Sequence, residues 1–224
     1  MTAVALTLRT GTAERLARHV AMQLANLFPD ESMDADVDSL LQLVPRALER
    51  MRPILAAVRN FDPNYFNHLN SLQYTSFLYL LANERWRSGA GDALAERLFC
   101  LNRALNAVDL FYAVELPTVF FVSHGLSAVL GSATYGDRLV FFQNVTVGRV
   151  GSQKPVLGRE VVLFPGAQVT GNAVIGDRCV VSAGTHVHGL SVPDDTVVFS
   201  SPHGVVLKTR RKDYIGLYLR PPDA

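Results

Sequence analysis

The chain has 224 residues, room for one large or two modest domains, and 49% of them are apolar, enough for a sizeable core. Twenty-one Lys and Arg against 20 Asp and Glu leave a formal net charge of +1, so no global field draws in nucleic acid or a membrane surface. The two cysteines, Cys100 and Cys179, form neither a disulfide framework nor a CxxC metal motif, and the first twenty residues have neither a long apolar run nor a cleavage pattern; no signal peptide or membrane span is expected, and the cytoplasm is the expected location.

Residues 1–107 read as a helical domain. Thr12 precedes a stripe of Leu16, Val20, Leu24 and Leu27 that ends before Pro29 and Asp30. A second stripe, Val37, Leu40, Leu41, Val44, Leu48, Met51 and Ile54, is interrupted by Pro45 and Pro53, which predicts two helices or one kinked one. Asn60–Asn64 (NFDPN) is a turn, with Asp62 before Pro63. A strongly apolar helix follows, ending at Gly89, with Tyr74, Phe77 and Tyr79 assigned to packing; Asp92 is the expected cap of the next helix. A domain this apolar is expected to pack on itself and on copies of itself.

From Val108 helical periodicity fades, and β-branched and aromatic residues rise. Between Leu157 and Val187 every sixth residue is aliphatic: Leu157, Leu163, Val169, Ile175, Val181, Val187. Two places before each of the last five stand Val161, Ala167, Ala173, Cys179 and Thr185, all small or β-branched. A period of six fits neither helix nor simple strand and predicts stacked triangular coils of three such sides. The aliphatic residue points inward, so each coil needs neighbours to bury it. Gly171, Gly176 and Asp177 suit corners where the chain reverses with unusual φ. Residues 108–148 form a less regular first part of this coil, and Arg149–Pro155 is a loop thrown out of it, where function tends to sit. Residues 188–208 finish the coil, and the tail, 209–224, leaves it. Cys179 is expected inward, as a small hydrophobe.

These residues carry a family. The helical N-terminal part, the coil, and the runs SHGLSAVLG from Ser123 and FFQNVTVG from Phe141 resemble bacterial serine acetyltransferases, most specifically over 105–188. The resemblance implies an α+β chain, with an N-terminal helical domain followed by a C-terminal left-handed parallel β-helix of hexapeptide repeats. It implies O-acetyl transfer from acetyl-coenzyme A to serine or a serine-like small acceptor. The family's Val-Asp pair fifteen residues before the catalytic histidine is matched by Val108-Asp109 before His124. Its substrate-contacting Asp-Pro is matched by Asp62-Pro63, its Ala-Gly step near the coenzyme by Ala183-Gly184, and its QSVTLGG by Gln143–Arg149. Several positions depart from the family. Ser123 replaces the Asp before the histidine, Gln153-Lys154 the Arg-His pair of the loop, Ser132 a Glu, and Arg149 a Gly. The tail ends RPPDA rather than in Ile, so the family's sulfhydrylase complex is not expected.

On this reading His124 is the general base, its tautomer fixed by Asp109. Asp62, Ser123, Gln153 and Lys154 face the acceptor. Gly148, Gly166, Ala183 and Gly184 admit the pantetheine arm, and Lys208 or Arg210 meets the coenzyme's phosphates. A backbone N–H near 148–155 is the expected oxyanion donor. A homotrimer, or a dimer of trimers, is the implied assembly. A non-catalytic or regulatory homologue, and an O-acetyltransferase for a different hydroxylated metabolite, are compatible with the same residues. No metal is expected, because the outward pair His186 and His188 lacks a convincing third ligand; a metal-dependent hydratase would need one.

Overall fold

The computed structural model describes residues 5–30 and 33–222. Four helices come first: α1 (Ala13–Leu27), α2 (Met33–Ala57), α3 (Ser71–Arg87) and α4 (Ala93–Asn106). Thr12 caps α1, its side chain accepting from Arg15 N, and Asn70 caps α3 in the same way through Leu72 N and Gln73 N. Asp92 stands at the start of α4 but makes no side-chain cap bond, contrary to expectation.

Of the two forms expected at Pro45 and Pro53, the division into two helices is not seen: α2 runs through both as one 25-residue helix. Its buried stripe, Val44, Ala47, Leu48, Met51, Ile54 and Leu55, is continuous. The carbonyls that the two prolines leave without a helical partner belong to Leu41, a half-buried residue, and Glu49, an exposed one. Tertiary packing therefore outweighs the local penalty. A short parallel pairing of Thr7–Leu8 with Tyr65–Phe66, which the sequence pattern does not suggest, ties the N-terminal segment to the turn after α2.

The second half is a parallel β-helix with three faces. Face I stacks Asp109–Leu110, Val129–Leu130, Thr146–Gly148, Gln168–Thr170 and His186–His188; face II stacks Thr134–Tyr135, Val156–Leu157, Val174–Ile175 and Ser191–Val192. Face III stacks Phe120–Val122, Leu139–Phe141, Val162–Leu163, Val180–Val181 and Thr196–Ser201. The repeat is fully internal: Leu157, Leu163, Val169, Ile175, Val181 and Val187 are at most 2% exposed, and Val161, Ala167, Ala173, Cys179 and Thr185 are at 0%. Each such aliphatic side chain contributes about 1.5–3 kcal/mol on burial.

The corner between faces II and III shows what the glycines do. Gly176 does not adopt the left-handed conformation; Arg178, at φ 55°, does, as do Arg138, Glu160 and Asp195 in the other coils. Gly136, Gly158 and Gly176 form a column in which a Cβ would lie 2.3–2.8 Å from backbone atoms of the next coil. The expectation of unusual φ at Gly176 is therefore corrected: a side chain is excluded there by close stacking. Asp137, Asp177 and Asp194 cap backbone N–H groups of neighbouring coils at 2.8 Å. Arg138–Glu160, Arg159–Asp177 and Arg178–Asp195 pair outside them. Gly171, at φ 67°, is a left-handed corner as expected.

At the far end the last strand of face III turns back at Ser201–Gly204, and Gly204–Thr209 pairs with it antiparallel. The tail then descends the outer side of face III. Tyr214 packs on Phe164 and Tyr218 on Phe142, with ring centroids 6.2 and 5.3 Å apart, and Leu219 bridges to Val58 at the end of α2.

Candidate functional site

His124 lies on the corner between faces III and I in the first coil. The register that places Val122 beside Phe141, Leu163 and Val181 puts His124 in line with Gln143, Pro165 and Ala183. The first coil spends two more residues on this corner than the next, since Val122 and Val129 pair with Phe141 and Thr146. The extra length folds into a tight turn. His124 takes φ 52° and Ser127 φ 58°, and Leu126 N donates to His124 O at 2.8 Å. Gly125 is required, because a Cβ there would meet Val122 Cγ1 at 2.3 Å and Val108 Cγ1 at 3.2 Å. A left-handed backbone is uncommon for histidine and stores strain of about 1–3 kcal/mol. It turns the imidazole out of the coil to an exposed position.

This turn stacks on the segment that carries Asp109. Ser127 N donates to Ala107 O at 2.7 Å, and Asp109 N to Ala128 O at 2.8 Å. Helix α4 ends just there, with Ala107 left-handed at φ 52°. Among the described residues no hydrogen bond joins the Asp109 carboxylate to the His124 ring. The carboxylate instead lies 3.8 Å from Arg103 Nε, both side chains being partly exposed. A pair this long and this wet contributes about 0–1 kcal/mol, too little to hold the carboxylate in one rotamer. A cleft of about 310 Å³ opens beside it, lined by Arg103, Asp109, Ser127 and Val129 among others.

The remaining predicted positions are dispersed. Ser123 is 6% exposed, and its N–H donates to Phe141 O at 2.8 Å. Asp62 is exposed and closes its own turn, Oδ1 accepting from Asn64 N at 2.9 Å. The Phe61 ring beside it meets Phe121, in the strand leading to His124, edge-on at 5.8 Å. Gln153 and Lys154 sit in an exposed loop closed by reciprocal Val150–Gln153 backbone bonds of 3.0 and 3.1 Å. That loop leaves the coil between faces I and II, a different corner from that of His124.

Gly166 and Gly184, both left-handed, and Ala183 continue the His124 corner upward, and nothing lies within 4 Å of a Cβ placed on Gly184. Gly148, with open space around it, ends a strand of face I. At about 4.8 Å per coil, Ala183 stands about 14 Å along the axis from His124. Lys208 is exposed, its Nζ 5.0 Å above the Phe199 ring, in a cleft of about 500 Å³ shared with Arg211, Lys212 and Tyr214. Arg210 is not available for phosphate: it bonds Asp195 at 2.9 Å and the Lys212 carbonyl at 2.9 Å. The Asp195 carboxyl, between Arg178 and Arg210, is held well below the usual carboxylate range by their hydrogen bonds and charge.

His186 and His188 flank buried Val187 and share the hydroxyl of Thr170 at 2.9 and 3.0 Å, a partner the sequence pattern does not flag. No cluster of three or more metal-ligating side chains occurs among the described residues. Cys179 faces inward, and burial pushes its thiol up. No described helix is long and apolar enough to cross a membrane.

No family model matches the chain. It is similar to the serine acetyltransferase of Synechococcus elongatus, 34% identical over 114 residues, which is 49% of this chain and 46% of that protein. It is likewise similar to that of Bacillus pumilus, 30% identical over 124 residues, 53% of this chain and 57% of that one. The chain thus spans about half the length of these curated relatives. The solved serine acetyltransferase of Brucella abortus shares the fold, with a TM-score of 0.71 at 22% identity over 90% of this chain and 85% of that one. The same Brucella protein has also been solved in complex with coenzyme A, with a TM-score of 0.66 at 21% identity over 90% of this chain and 83% of that one. The chain is thus similar in sequence to serine acetyltransferases over about half its length, and it shares with the solved ones the fold of a helical domain followed by a β-helix.

Proposed function

We propose that the chain is an O-acetyltransferase that moves acetyl from acetyl-coenzyme A to the hydroxyl of serine or a serine-like small acceptor. The observation that carries this reading is His124, an exposed imidazole on a left-handed corner stacked directly on the segment that bears Asp109. The likeness to serine acetyltransferases supports the donor and the reaction class.

Neutral imidazole near pH 7 is suited to take the acceptor's proton. Asp109, released from its weak contact with Arg103, accepts from the other ring nitrogen and stabilises the imidazolium. The acceptor oxygen attacks the thioester carbonyl, the C–O bond forms and the C–S bond breaks. His124 returns the proton to the departing sulfur, leaving coenzyme A thiol and the acetyl ester. No acyl-enzyme is needed, consistent with the inward Cys179.

The donor fits the upper part of the corner above His124, where Gly166, Ala183 and Gly184 carry little or no side chain, and Lys208 offers a cation for phosphate. Asp62, Ser123, Gln153 and Lys154 are the residues assigned to the acceptor. Their dispersal, over the turn after α2 and different corners of two successive coils, is compatible with sites completed between protomers of a homotrimer, or of a dimer of trimers. Because Ser123, Gln153 and Lys154 differ from the family pattern, a hydroxylated metabolite other than serine is the second reading. Thiol release from acetyl-coenzyme A across a panel of hydroxy amino acids and sugars tests both. Absence of release with every acceptor favours a non-catalytic homologue.

A further inference from the structure

Helix α2 ends at Ala57 with no basic residue in its last turn, so its final carbonyls have no local cation to meet them. Arg220, far along the chain in the C-terminal tail, supplies one. Its Nη1 donates to Ala56 O at 2.8 Å and Val58 O at 2.7 Å, and reaches Leu55 O at 3.5 Å; its Nη2 donates to Arg59 O at 3.0 Å and Phe61 O at 2.9 Å. The backbone on both sides is fastened as well. Arg220 N donates to Ala57 O at 2.7 Å, Arg59 N to Tyr218 O at 2.9 Å, and Arg138 Nη2 to Arg220 O at 2.6 Å.

A planar guanidinium can gather several carbonyls at once in a way an ammonium cannot. Here it gathers those immediately before Asp62. The turn it fixes runs Phe61–Asn64, closed by Asn64 N to Asp62 Oδ1, and the Phe61 ring meets Phe121, three residues before His124. We infer that Arg220 is a positioning residue for acceptor binding: it holds the turn that carries Asp62 in fixed relation to the strand that carries His124. It touches no reacting atom. The inference rests on the acetyltransferase reading above, and it makes the C-terminal tail a working part of the site.

The test is Arg220→Ala and Arg220→Lys in the full chain. The readouts are thiol release at varied acceptor and varied acetyl-coenzyme A, amide hydrogen exchange over 59–66, and thermal melting. Misplacing the turn raises the acceptor KM in Arg220→Ala about tenfold to a hundredfold, with the acetyl-coenzyme A KM little changed. Arg220→Lys recovers part of the loss, and the Asn64 amide exchanges faster in both variants. An unchanged acceptor KM overturns the inference. So does a loss in which both KM values and kcat worsen in step with a lowered melting temperature, since that is loss of fold. If the wild type transfers acetyl to no acceptor, the acetyltransferase reading fails first. Exchange at Asn64 then decides the clasp by itself, and an unaltered rate in Arg220→Ala refutes it.

Discussion

Gly158→Ala probes the stacking on which the whole coil depends. The added Cβ would sit 2.7 Å from Asp177 N and 2.7 Å from Gly176 C, where ordinary contact begins at 3.4 Å, so the two coils must part locally by about 0.7 Å. The bonds across that gap are Gly158 N to Ile175 O and Arg159 N to Asp177 Oδ1, both 2.8 Å. Parting stretches each to about 3.5 Å, the edge of a hydrogen bond. Losing most of two such bonds costs about 1–3 kcal/mol, and overpacking against backbone adds about 1–3 kcal/mol. We expect a total of about 2–5 kcal/mol, which lowers the melting temperature by about 5–15 °C for a chain of this size. Gly148→Ala is the matched control: no atom lies within 4 Å of its Cβ and its φ is not left-handed, so it should melt within about 2 °C of wild type. Thermal denaturation followed by circular dichroism reads both. Equal melting of Gly158→Ala and Gly148→Ala would refute the close-stacking account of the glycine column.

Other outcomes follow from the same physics. His19 and His68 meet edge-on at 4.8 Å between α1 and the segment before α3; burial lowers both, and for His68 the charges of His19 and Arg9 add to it. A depressed histidine favours the neutral folded state, so this stability is present above the unfolded value of about 6.5 and is lost as pH falls below it. The double variant His19→Gln, His68→Asn should flatten the melting temperature between about pH 7 and 5. Asp195 behaves oppositely in chemistry but alike in direction. Its carboxyl is held low by Arg178 and Arg210, so its contribution is present above about pH 4 and lost on further acidification, and Asp195→Asn should remove that acid-limb slope in a pH-resolved melt. Lys208→Ala should raise the acetyl-coenzyme A KM by up to about fivefold, the worth of one exposed charge contact, and leave the acceptor KM unchanged in steady-state assays.

The coil is legible in the sequence because its inward positions recur at an interval no helix or ordinary sheet uses. Every one from Leu157 to Val187 is buried. The glycine corners are half legible. Gly171 is left-handed, as local turn chemistry predicts, but Gly176 answers to the backbone of the coil above it, a constraint some eighteen residues away that turn chemistry does not express. Pro45 and Pro53 leave one helix or two open in the sequence; what decides for one is a continuous buried stripe, a tertiary feature that local propensity does not express. At the candidate site, Asp109 and His124, which the resemblance pairs, lie on stacked segments, whereas the contact of Asp109 with Arg103 comes from α4 and leaves no mark in the spacing. A residue type names no partners, so Arg210 reads beside Lys208 as a phosphate ligand in sequence; Asp195 and the Lys212 carbonyl occupy it in the fold. Arg220 carries no signal at all. Its partners are backbone carbonyls, and any sequence supplies those.

The most direct test of the account is thiol release from acetyl-coenzyme A by wild type and His124→Ala, with serine and its hydroxylated analogues as acceptors. The account predicts acceptor-dependent release by wild type and a loss of about 10²–10⁴-fold in kcat for the variant at unchanged melting temperature. Acceptor-dependent release that survives undiminished in His124→Ala would contradict it.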